Sequence, residues 1–77
     1  MRESDQNPVP VAYRDVEGNT YRVMPGIGLR TYKARKNKPG SPSWKGVRQL
    51  EWRGAFEEAQ SDLDALAQRN GWYPMDA

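Results

Sequence analysis

The chain has 77 residues, 36% of them hydrophobic and 29% charged, with a mean hydropathy of -1.01; that length holds one small domain with one core. It contains no Cys and no His, which removes disulfides, thiolate nucleophiles, iron–sulfur sites and the usual imidazole base and metal ligand, so neither catalysis nor a metal or cofactor is expected. The net charge is only +2, yet ten bases and three acids lie between Arg14 and Arg53, a local +7, while the remainder of the chain carries -5; a basic segment of that density attracts phosphates whatever the total charge.

Taken in chain order, Met1 to Pro10 is polar, with Pro8 and Pro10 restricting the backbone to extended forms, and is expected to be a flexible arm preceding a single domain over 11–77. There is no apolar run long enough for a membrane span and no hydrophobic leader, so a soluble cytoplasmic protein is expected. Residues 11–16 read as a short strand, Glu17-Gly18-Asn19 as a turn, and 20–24 as an alternating strand rich in β-formers, together a hairpin. Pro25-Gly26 favours a reversal before a strand over 29–36, in which Tyr32 and Ala34 share one face while Lys33 and Arg35 share the other. Gly26 and Gly28 open no phosphate-binding fingerprint, because the third glycine is missing and a strand follows instead of a helix.

Asn37 to Ser43 is a loop by composition, and its Lys38 is within reach of a phosphate. Residues 44–53 read as a strand with no cleanly apolar side; a bulge at Gly46 would bring Trp44 to the face of Val47 and leave Leu50 and Trp52 opposite. Phe56, Ala59, Leu63, Leu66 and Ala67 then recur at helical spacing, which predicts an amphipathic helix over 55–69. Glu57 and Glu58 fall in its first turn, where the helix dipole favours anions, and Asn70-Gly71 stops it. The tail from Trp72 to Met75 is expected to fold back over the core. Glu58 and Asp62 share a helix face, but without a third ligand they read as a solvent-facing pair.

These elements predict an α+β fold, an antiparallel sheet of three or four strands packed against one C-terminal helix, with Phe56, Leu63, Leu66, Tyr32, Val23 and Trp52 as the core. Bases and aromatics interleave along the strands, Tyr21 with Arg22, Tyr32 with Lys33 and Arg35, Trp44 with Lys45, and Trp52 with Arg53. Exposed rings in that setting stack on nucleobases while the cations hold phosphates. Packing claims most of these rings, Trp52 and Tyr32 first, while Trp44, beside the loop, is left open between core and exposure.

Tyr32-Lys33-Ala34-Arg35 and, later, Gly54-Ala55-Phe56-Glu57-Glu58-Ala59 give the chain from Arg30 onward a pattern that resembles two families. One is the plant AP2/ERF type of DNA-binding domain, and the other is the arm-type N-terminal DNA-binding domain of phage tyrosine integrases. The resemblance implies a sheet laid in the major groove with the helix behind it, and it makes Arg30, Lys33, Arg35, Lys45, Arg48 and Arg53 the DNA-facing candidates. The sequence departs from those families in its additional strand-like stretch before Thr31 and its longer loop over 37–43, and no integrase domain is expected after the helix. The expected function is a non-enzymatic nucleic-acid-binding module, with duplex DNA as the first partner and a phage or mobile-element regulator as the setting. The alternative is a small protein-binding adaptor or inhibitor that engages its partner through the charged sheet or through Glu57, Glu58, Asp62 and Asp64 on the helix. Neither reading requires a membrane or a small-molecule substrate.

Overall fold

The computed structural model describes residues 11–27 and 31–75; the N-terminal arm and Arg30 lie outside them. Five strands form one antiparallel sheet: β1 (Ala12–Arg14), β2 (Thr20–Pro25), β3 (Tyr32–Asn37), β4 (Lys45–Gly46) and β5 (Tyr73–Met75), in the order β4-β3-β2-β1-β5. The helix α1 (Phe56–Asn70) packs on one face, chiefly against β2 and β3. The α+β architecture and the helix are therefore as the sequence predicts, with a fifth strand added at the β1 edge.

Local chemistry explains the hairpins. At the β1–β2 turn the Asp15 carboxylate accepts from the backbone N–H of Glu17 and Asn19, from the Asn19 side-chain amide and from the Tyr21 hydroxyl, all at 2.8–2.9 Å. Gly18 takes φ 90°, a left-handed conformation that costs a residue with a Cβ. In the next hairpin, β2 and β3 pair along six positions, from Thr20↔Asn37 to Pro25↔Tyr32. Side-chain alternation then sends Tyr21, Val23, Tyr32 and Ala34 toward the helix, and Arg22, Met24, Lys33 and Arg35 to the open face.

The predicted strand over 44–53 is corrected. The chain pairs with β3 at Arg35↔Gly46 and returns only at Tyr32↔Arg53, so residues 47–52 oppose just Lys33 and Ala34 and must loop out. Backbone bonds from Val47 to Ala34 and from Leu50 to Val47 hold that excursion. It buries Val47 and half-buries Leu50 against the core, while Trp52 emerges on the open face. Trp52 is 48% exposed and is not a core residue. The strand expected over 11–16 is also shorter, ending at Arg14, and Val16 is exposed.

The core is Tyr21, Ala34, Val47, Leu63 and Leu66, with Tyr13, Val23, Leu50 and Trp72 packed against it. Phe56 and Tyr32 are half-buried and meet edge to face at 6.1 Å. Gln60, buried in the apolar stripe of α1, is satisfied: its side-chain amide donates to Val11 O and Asp64 Oδ1, and its carbonyl accepts from Val11 N–H. Gly71 ends the helix in the left-handed region at φ 73°. The chain then turns back, stacks Trp72 on Tyr21 with ring centroids 3.9 Å apart, and pairs β5 with β1 from Ala12↔Met75 to Arg14↔Tyr73. No helix among the described residues is long and apolar enough to cross a membrane.

Candidate nucleic-acid interface

The basic residues predicted as one surface divide into three groups. Lys33 and Arg35 stand two apart on β3 and so share the open face, as their alternation predicts. The β2–β3 register adds Arg22 directly opposite Arg35, and β1 contributes Arg14 opposite Thr20 on the same face. Two tryptophans flank the cluster. The guanidinium of Arg22 lies 5.7 Å from the centroid of the Trp44 ring, while Lys33 Nζ and the Arg35 guanidinium lie 5.5 and 5.7 Å from that of Trp52. The Trp52 ring rests so closely on Gly26 that a Cβ there would overlap it.

The electrostatics of this face are one-sided. Like charges directly across a ladder destabilise a sheet, yet Arg22 faces Arg35, and among the described residues no carboxylate occupies a paired position on that side of β1, β2 or β3. Arg35 Nε is buried and has no hydrogen-bond partner among the described residues, so the tryptophan ring holds that side chain. Each cation–π contact stabilises by about 0.5–1 kcal/mol at an exposed site. The rings thus position the cations without neutralising them.

Lys38, Lys45 and Arg48 are placed elsewhere. Lys45 pairs opposite Lys36 on the helix side of the sheet, and all three of the predicted residues border a cleft there with Tyr21 and Trp72. Arg53 is engaged with the helix. Its Nε and Nη2 donate to the two oxygens of Asp62 at 2.7 and 3.1 Å, a bidentate pair that fastens the 47–53 excursion to α1, and this raises the Arg53 pKa.

The acidic residues of the helix are likewise divided. Asp62 holds Arg53, and Asp64 accepts from Tyr13 and Gln60 at 2.8 Å each, while Glu57 and Glu58 are exposed. Burial, the Asp64 hydrogen bond and its charge together push the Tyr13 pKa up to about 12. At Asp15, burial acts to raise the pKa, but the hydrogen bonds from Asn19, Tyr21 and Glu17 outweigh it and hold the carboxyl below its ordinary value. Among the described residues, no three carboxylates gather as a metal site.

Sequence reasoning missed Arg22 and Arg14. Their signal was present in the alternation of the first hairpin, since pairing Arg22 with the Arg35 row follows once the β2–β3 register is set. No family model, curated protein or solved structure matches the chain.

Proposed function

We propose that the protein is a non-enzymatic nucleic-acid-binding module, a regulator of the kind a phage or mobile element carries, which lays the open face of its sheet on the phosphate backbone. The observation that supports this reading is the row Arg14, Arg22, Arg35 and Lys33, gathered on one face and flanked by Trp44 and Trp52, with no carboxylate at a paired position on that side among the described residues. Such a face loses stability from mutual repulsion and regains it when phosphates arrive. It is also the face that the AP2/ERF-like resemblance would lay in the major groove, so duplex DNA is the first ligand to test. The adaptor alternative has less support on its helix route, because Asp62 and Asp64 are already engaged within the chain and only Glu57 and Glu58 of the four stay exposed and uncommitted there.

The test is a fluorescence-anisotropy titration of duplex and single-stranded oligonucleotides over a range of salt. Four cations on phosphates give a log–log slope of roughly -3 to -4. Binding that ignores salt, or no binding at low salt, contradicts the proposal.

A further inference from the structure

On the helix side of the sheet, away from the face just described, lies a cleft of about 610 Å³. Four side chains on its walls are cationic: Lys36 on β3, Lys38 at the start of the loop between β3 and β4, Lys45 on β4 and Arg48 in the excursion after β4. No carboxylate lines it among the described residues. Tyr21 and Trp72 form its aromatic side, their rings stacked on each other, and Ser41 and Ser43 add hydroxyls.

This arrangement follows from the fold. The ladder places Tyr21 opposite Lys36 and Lys36 opposite Lys45, so two ammonium-bearing side chains stand directly across from one another next to an aromatic ring. The helix packs against β2 and β3, and both residues of β4 are exposed. The loop that brings Lys38, Ser41 and Ser43 to the rim is set in place by Asn37, whose side-chain amide donates to the carbonyls of Ser41 and Ser43 at 2.7 and 2.8 Å. The backbone of the rim loop therefore needs little ordering when a ligand enters, which favours affinity. Cations converging on a concave, partly apolar wall focus a positive potential into the space between them.

We infer that this cleft is a second binding site, separate from the open face, for a ligand that joins phosphate groups to a planar ring: a nucleotide, either free or as the phosphorylated end of a nucleic-acid strand. The volume suits such a ligand, since small-molecule sites run from about 300 to 1,000 Å³. Lys36, Lys38, Lys45 and Arg48 would hold the phosphates, Ser41 and Ser43 would donate hydrogen bonds to them, and the Trp72 side would take the ring. The sequence reading spread Lys38, Lys45 and Arg48 along a single DNA-facing surface and did not separate this site.

The experiment titrates the full chain with ATP, inorganic pyrophosphate and adenosine, following backbone amide shifts by NMR, and compares an oligonucleotide bearing a 5′-phosphate with one bearing a 5′-hydroxyl. It uses two charge-reversed variants of exposed or half-exposed side chains, Lys45→Glu/Arg48→Glu at the cleft and Arg22→Glu/Lys33→Glu on the open face, each checked for a wild-type melt. The inference predicts saturable ATP binding with shifts centred on residues 36–49 and Trp72, weakened roughly tenfold or more by the cleft variant and little changed by the face variant. Pyrophosphate should bind more weakly than ATP, and adenosine more weakly still. A cleft-dependent preference for the 5′-phosphorylated strand would assign the ligand to a strand end, and its absence alongside ATP binding would assign it to a free nucleotide. No saturable binding at millimolar ATP, or equal loss in both variants, would overturn the site. Failure of the open face to bind nucleic acid would leave that result standing, because the two variants report separately.

Discussion

The two faces of the sheet treat their charged groups in opposite ways. On the helix-covered side, Asp15 collects four donors, Gln60 satisfies the backbone of Val11, Asp62 is paired bidentately with Arg53, and Asp64 takes Tyr13 and Gln60. On the open side, Arg22 and Arg35 face each other and have aromatic rings for company. Groups that build the fold are settled within the chain, because an unpartnered polar group beside the core costs stability. Groups left facing like charges across a ladder are held by the aromatic rings alone, and under the proposed function a polyanion would supply the charge they lack. The helix-side cleft shares the open face's imbalance, with Lys36 opposite Lys45, which is why it stands apart from the settled chemistry around it.

That contrast can be broken at its structural side first. Leu63 is fully buried between helix and sheet, so Leu63→Ala should cost about 2–5 kcal/mol, enough to unfold much of so small a domain; a wild-type thermal melt would refute the docking of α1. Asp15→Ala removes the acceptor of the buried Tyr21 hydroxyl and leaves the Asn19 side-chain amide only its longer bond to Glu17, with an expected loss of about 1.5–3 kcal/mol in denaturant unfolding. The same carboxyl gives the comparison a pH dependence. Its folded pKa lies below the ordinary value of 3.8, so its contribution is fully present above that value and is lost as the pH falls through the lower folded pKa. Wild type should therefore lose stability below about pH 4 more steeply than Asp15→Asn, and parallel acid profiles would remove Asp15 from the account.

At the open side, Trp52→Ala separates two roles for the ring. If it stacks on an unpaired base, single-strand affinity falls by about 1–3 kcal/mol while duplex affinity changes less. An equal fall on both forms would mean that the ring acts by holding Lys33 and Arg35 in place.

How much of this was legible depended on periodicity. The helix was predicted over 55–69 and runs over Phe56–Asn70, because apolar residues at a 3.6-residue period mark it without ambiguity. Alternation likewise put Lys33 and Arg35 on one face. The stretch from Trp44 to Arg53 carried no such signal, since six of its residues leave the ladder and return, placing Val47 in the core and Trp52 outside it. Three residues with a central proline, Tyr73–Met75, are too few to announce a strand, and the pairing with β1 exists only after Gly71 turns the chain. The commitment of Arg53 to Asp62 was equally hidden, as they stand nine positions apart in sequence across a bend. Charge density marked the segment that carries the candidate site, and only tertiary placement divided it into an open face, a cleft and an internal ion pair.

The central claim is that the open face, and not the total charge, binds nucleic acid. The most direct measurement compares duplex DNA affinity at low salt for wild type, Arg22→Glu/Arg35→Glu, and Glu57→Lys/Glu58→Lys, with the fold of each verified by its melt. The account predicts a roughly hundredfold or greater loss in the face variant and little change in the helix variant. A folded face variant that keeps its affinity within a factor of about two would contradict it.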